Sequence, residues 1–145
     1  MKIQYNNLYT HFVFTTYDRQ RLITEENRVR IEKYITGIVS KNKSKLYAIY
    51  ANPEHVHMLI SRDPSLSEEG IATIIANSSE RFVNENKLSS TIFQWQQSAS
   101  AFSVSKSDIE RVCKYILSQP EHHKKVSFSD EYEKFITFYE DTLKK

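Results

Sequence analysis

Two histidines one residue apart, His55 and His57, carry the first chemical signal, within Asn52-Pro53-Glu54-His55-Val56-His57-Met58-Leu59-Ile60. On a β-strand, alternate side chains share a face. The spacing therefore puts both imidazoles on one side and Val56, Met58 and Ile60 on the other. Two imidazoles on a rigid strand offer two nitrogens to a metal ion and need a further ligand. The second signal is Tyr115 and Gln119, four apart on a predicted helix and so on one side of it, with Arg111 four before Tyr115 in the same row. A phenolate can attack a phosphate, an arginine or a metal can stabilise the developing negative charge, and an amide oxygen can ligate a hard cation. With His55 and His57, Gln119 would complete a three-ligand site whose open positions suit phosphodiester oxygens. Nitrogen and oxygen donors without thiolate favour Mg²⁺ or Mn²⁺ over a structural zinc. Each signal alone has a plainer explanation: a structural or surface histidine pair, and a tyrosine that only packs.

The elements that must position these residues follow from pattern. Leu8–Thr16 alternates and predicts a first strand. Thr24 caps a predicted amphipathic helix over 25–41, with Glu25 and Glu26 at its positive end. A basic turn, Lys41-Asn42-Lys43-Ser44-Lys45, ends it. Residues 46–51 form a short apolar strand, and the turn chemistry of Asn52-Pro53 leads into the histidine strand as its antiparallel neighbour. Ser67 caps a second helix to about Asn86, with Ile71, Ile74, Ile75, Ser78 and Phe82 as its buried stripe. Thr91–Trp95 and Ala101–Ser105 predict two short strands, and a helix follows over 108–119. Ser107 and Glu110 match a capping box, Ile109, Val112, Cys113 and Ile116 make the apolar stripe, and Pro120 ends the helix. A last amphipathic helix is expected over 129–142. The resulting βαββαβ order predicts an α+β fold: a ferredoxin-like or RRM-like antiparallel sheet with helices packed on one face.

Size and composition narrow the function classes. The 145 residues suit one domain spanning the whole chain, 1–145. A single cysteine, Cys113, excludes an intramolecular disulfide and a multi-cysteine zinc site. The two glycines, Gly37 and Gly70, exclude a glycine-rich phosphate loop. No apolar run reaches the ~18 residues of a membrane span and the first residues are not a signal peptide, so the expected compartment is the cytoplasm. The net charge of +2 argues for no partner alone, but residues 1–45 hold nine basic and four acidic side chains, against three and six over 46–105. A basic N-terminal region is compatible with a phosphate backbone, or with a solvated helix face. Among the other reactive side chains, His11 reads as a half-buried structural residue, Cys113 and Trp95 as core, and His122-His123 beside Lys124-Lys125 as a solvated basic cluster.

Taken together, the sequence resembles the small single-tyrosine HUH transposases of bacterial and archaeal insertion sequences. The resemblance runs through Phe14-Thr15-Thr16, Pro53–Ile60, Asn77-Ser78-Ser79, Trp95-Gln96, Ala101–Ser105 and Tyr115-Ile116-Leu117-Ser118-Gln119. It implies that Tyr115 attacks a phosphodiester of single-stranded DNA, leaving a 5′-phosphotyrosine and a free 3′-OH. It implies that His55, His57 and Gln119 bind the divalent metal, and that the protein is a homodimer recognising hairpin ends. One departure is the stretch Gln96-Gln97-Ser98-Ala99-Ser100, which lacks the glycine often found there and so limits the hinge freedom of the tyrosine helix. Two alternatives predict different behaviour. A catalytically silent hairpin-DNA-binding module of the same fold would bind without forming an adduct. An unrelated metal enzyme using His55 and His57 would give Tyr115 no role.

Overall fold

Strands β1 (Tyr9–Thr15), β2 (Lys45–Ala51), β3 (His55–Ser61) and β4 (Ser100–Val104) form one sheet in the order β2-β3-β1-β4. The structure is a computed structural model and describes residues 1–122 and 130. Every pairing is antiparallel. Helices α1 (Glu25–Lys41) and α2 (Glu68–Glu85) follow β1 and β3, and α3 (Ile109–Leu117) and the short α4 (Gln119–His122) follow β4. This is the expected α+β arrangement. Apart from residue 130, the expected final helix over 129–142 falls outside the described residues, as do the side chains of 122–125.

The two long helices begin and end as their sequences dictate. Thr24 Oγ1 accepts the Asn27 N–H at 3.2 Å and Ser67 Oγ the Gly70 N–H at 2.9 Å. Both end in a left-handed residue, Lys43 (φ 57°) after α1 and Lys87 (φ 52°) after α2. The bonds Ser44 N–H to Val39 O and Leu88 N–H to Val83 O close six-residue loops there. Glycine is the usual residue at such a position; a chain with two glycines uses lysine instead.

The sheet's two faces do different work. Phe12, Phe14, Val56, Met58 and Ile60 meet Ile31, Ile35 and Val39 of α1 and Ile71, Ile75 and Val83 of α2 in the main core. On the opposite face, Ala48 and Leu59 pack with Ile116 of α3 in a smaller cluster that takes in Tyr50, Cys113 and Tyr115. Thus α1 and α2 cover one face, while α3 lies across part of the other.

Three local expectations are corrected. Residues 91–95 form no strand; only Thr16 and Trp95 make an isolated bridge. Side chains satisfy the backbone here: Asn84 Oδ1 accepts the Phe93 N–H at 2.7 Å, its Nδ2 donates to Phe93 O at 2.9 Å, and Glu80 accepts the Trp95 N–H at 3.2 Å. The buried stripe of α2 runs Ile71, Ile75, Ser79 and Val83, through Ser79 and not Ser78, and Ser79 Oγ accepts the Trp95 indole N–H at 2.9 Å. The capping box at α3 is not formed. Ser107 Oγ meets Ser105 Oγ at 3.1 Å, and Glu110 pairs with Lys114 at 3.5 Å.

Candidate active site

A tight turn sets the histidines. The Asn52 N–H donates to His55 O at 2.8 Å, and β3 starts at His55. The end of β2 is fixed in turn by α1, whose Glu32 carboxylate accepts the Ala51 N–H at 2.9 Å and Arg28 at 3.0 Å. The register pairs Tyr50 and Val13 with His57, and Ala51 and Phe14 with Val56. His55 and His57 therefore face α3, as alternation predicts, with Val56, Met58 and Ile60 in the main core. Both imidazoles are buried, with ring centroids 5.0 Å apart.

Each histidine has a polar neighbour that orients it. His55 Nδ1 lies 2.8 Å from Glu54 Oε1. A carboxylate there fixes the proton on Nδ1 and leaves a lone pair on Nε2. Glu54 Oε2 also pairs with the exposed Arg21 at 3.2 Å, so one carboxylate joins a surface cation to a buried ring. His57 Nδ1 lies 2.9 Å from His11 Nε2. His11 is buried, not half-buried, and burial, with a smaller push from His57, lowers its pKa from an ordinary 6.5 to about 3.

The single helix expected over 108–119 is corrected: α3 ends at Leu117, and Gln119 opens α4, which contains Pro120; the two elements together bring Tyr115 and Gln119 to the same face. The Tyr115 ring stands edge-on to His57 at 5.7 Å and 90°, and to His11 at 6.3 Å and 71°. Gln119 is fully buried; its Nε2 donates to Tyr115 O at 3.4 Å. Its Oε1 accepts from Asn52 Nδ2 at 3.3 Å, and the same Nδ2 is 3.2 Å from His55 Nε2. The expected arginine does not join this group. Arg111 is 79% exposed and pairs with Asp108 at 2.5 Å on the outer side of α3. Cys113 packs in the smaller cluster, where burial raises its pKa and keeps it a thiol.

All four expected residues thus meet within one chain. The donor chemistry suits a hard divalent ion: imidazole nitrogen and amide oxygen converge, and a carboxylate behind His55 keeps a lone pair on the facing nitrogen. Among the described residues no three His, Cys, Asp or Glu side chains form a group that could hold a metal ion. Sequence inspection misses His11, Asn52 and Glu54. The signal for His11 is its place on the alternation of β1, but only the pairing of β1 with β3 brings it beside His57.

The fold is shared with solved structures. A candidate transposase from Deinococcus radiodurans R1 superposes with a TM-score of 0.64 at 20% identity, covering 82% of this chain and 98% of its own. A REP-associated tyrosine transposase bound to a REP hairpin gives 0.62 at 15% identity, covering 87% of this chain and 74% of its own. No curated protein matches the sequence. The family described as transposase IS200-like matches residues 4–119, and the chain belongs to that family. Among the described residues no helix is long and apolar enough to cross a membrane.

Proposed function

We propose that the protein is a DNA transposase that cleaves and rejoins single-stranded DNA through a 5′-phosphotyrosine on Tyr115. The observation that carries this is the meeting of Tyr115 and His57 in ring contact, with Gln119 and His55 both reaching Asn52 Nδ2. His55, His57 and Gln119 would hold a divalent ion, Mg²⁺ or Mn²⁺. When bound, that ion supplies Lewis-acid polarisation of the scissile phosphate. The Tyr115 oxygen loses its proton and attacks phosphorus, the bond from phosphorus to the 3′ oxygen breaks, and that oxygen leaves as a 3′-OH. Attack by another 3′-OH reverses the step, returns the proton to Tyr115 and joins strands without a nucleotide cofactor. Glu54 and His11 hold the two imidazoles in place throughout. The substrate is DNA with hairpin ends, a class that fits the hairpin bound by the REP-associated relative. The working form is a homodimer in the cytoplasm.

The test is a covalent adduct. Single-stranded DNA bearing hairpin ends is incubated with protein and Mn²⁺ or Mg²⁺, then resolved under denaturing conditions. The wild type forms a protein–DNA adduct; Tyr115→Phe forms none and keeps its DNA affinity. An adduct that survives Tyr115→Phe removes the tyrosine from the mechanism. Binding of cognate ends without any adduct in the wild type supports the silent binding module instead.

A further inference from the structure

Asn52 stands where a ligand would stand. Its side chain is buried, and Nδ2 lies 3.2 Å from His55 Nε2 and 3.3 Å from Gln119 Oε1. Both neighbours present lone pairs, since Glu54 holds the proton of His55 on Nδ1 and an amide oxygen carries none. In an octahedral site, adjacent ligand atoms at roughly 2.1 Å from the ion stand roughly 3 Å from one another. The Asn52 amide stands at nearly that spacing from both His55 Nε2 and Gln119 Oε1. A carboxamide presents nitrogen or oxygen at the same place by rotation about one bond, with almost no change of shape. Both side-chain hydrogen bonds of Asn52 are made by Nδ2, and its backbone is pinned by the turn bond to His55 O.

We infer that Asn52 is a further metal ligand of this site: its carboxamide turns over as the ion enters and presents Oδ1 beside His55 and Gln119. This rests on the proposal that His55, His57 and Gln119 hold a divalent ion. In the metal-free protein, Nδ2 satisfies the lone pairs of His55 and Gln119. On loading, the same side chain changes from donor to ligand. An oxygen donor at this position adds to the preference for hard cations.

A purely structural Asn52 predicts the opposite response. If the amide only plugs the site, removing it opens room for the ion and leaves metal binding unchanged or tighter. The experiment is Mn²⁺ titration of chelator-treated full-length protein, read as free Mn²⁺ by electron paramagnetic resonance. Metal-free melting temperatures serve as the folding control. Asn52→Ala is expected to raise the Mn²⁺ Kd at least about tenfold, a loss comparable with those seen on mutating conserved residues around metal sites. Asn52→Asp keeps an oxygen at the same place and adds charge, so its Kd equals or falls below that of the wild type. An unchanged or lower Kd for Asn52→Ala overturns the inference while leaving the His55, His57 and Gln119 site standing. Should Asn52→Ala not fold, a Kd for Asn52→Asp more than tenfold above the wild type overturns it equally. If the wild type binds no Mn²⁺, or His55→Ala binds it unchanged, the metal site itself is refuted and the inference falls with it.

Discussion

His11 makes the stability of this protein sensitive to mild acid, and the size of the effect follows from its burial. The imidazole is 4% exposed and its folded-state pKa is about 3, against 6.5 when unfolded. Above pH 6.5 both states hold His11 neutral, and the group adds no pH dependence. Below pH 6.5 the unfolded chain takes up a proton that the folded protein refuses. Stability therefore falls as pH drops, by about 1.4 kcal/mol per pH unit, until the folded pKa is reached. At pH 5 the loss from this group is about 2 kcal/mol. That value depends almost entirely on the unfolded pKa, because pH 5 lies well above the folded one. Urea denaturation at pH 7 and pH 5, in chelator, measures it for the wild type and for His11→Gln, which keeps a polar side chain and cannot titrate. The wild type should lose about 2 kcal/mol more than the variant between the two pH values. Equal losses would mean that His11 accepts a proton inside the folded protein and that its burial does not hold it neutral.

Other outcomes follow from single contacts. Glu54→Gln removes the carboxylate behind His55 and should weaken Mn²⁺ binding about tenfold to a hundredfold, read by calorimetric titration. Ile116→Ala opens a cavity under α3 and should cost about 2–5 kcal/mol in urea denaturation. Because Ile116 lies next to Tyr115, adduct yield should fall with it. Lys87→Gly relieves a left-handed lysine at the end of α2 and should raise the unfolding free energy by about 0.5–1 kcal/mol; a decrease would show that the lysine side chain contributes more than its backbone conformation costs.

How much was legible in the sequence depends on the range of the interaction involved. Thr24 and Ser67 announced α1 and α2 to within a residue, because a cap and an apolar stripe are local. The alternation of β3 announced which face His55 and His57 share, because a strand has only two. Residues 91–95 looked like a strand because they are β-prone, yet Asn84 and Glu80 on the preceding helix supply the partners that a neighbouring strand would have supplied. Arg111 looked like a member of the site because helical spacing gives rows without saying which row meets the sheet. Ile116 decides that, and it turns Tyr115 inward while Arg111 faces solvent. His11, Asn52 and Glu54 enter only through register, turn geometry and a carboxylate one residue from its histidine.

The alternation of β3 also works as a safeguard against error. A slip of one residue in its pairing would exchange the faces, sending His55 and His57 into the apolar core and Val56, Met58 and Ile60 out towards α3. Such a molecule would be misfolded before it was miscatalytic. A copy of this protein in which β3 is out of step would expose itself to proteolysis instead of persisting as a stable enzyme with a displaced site.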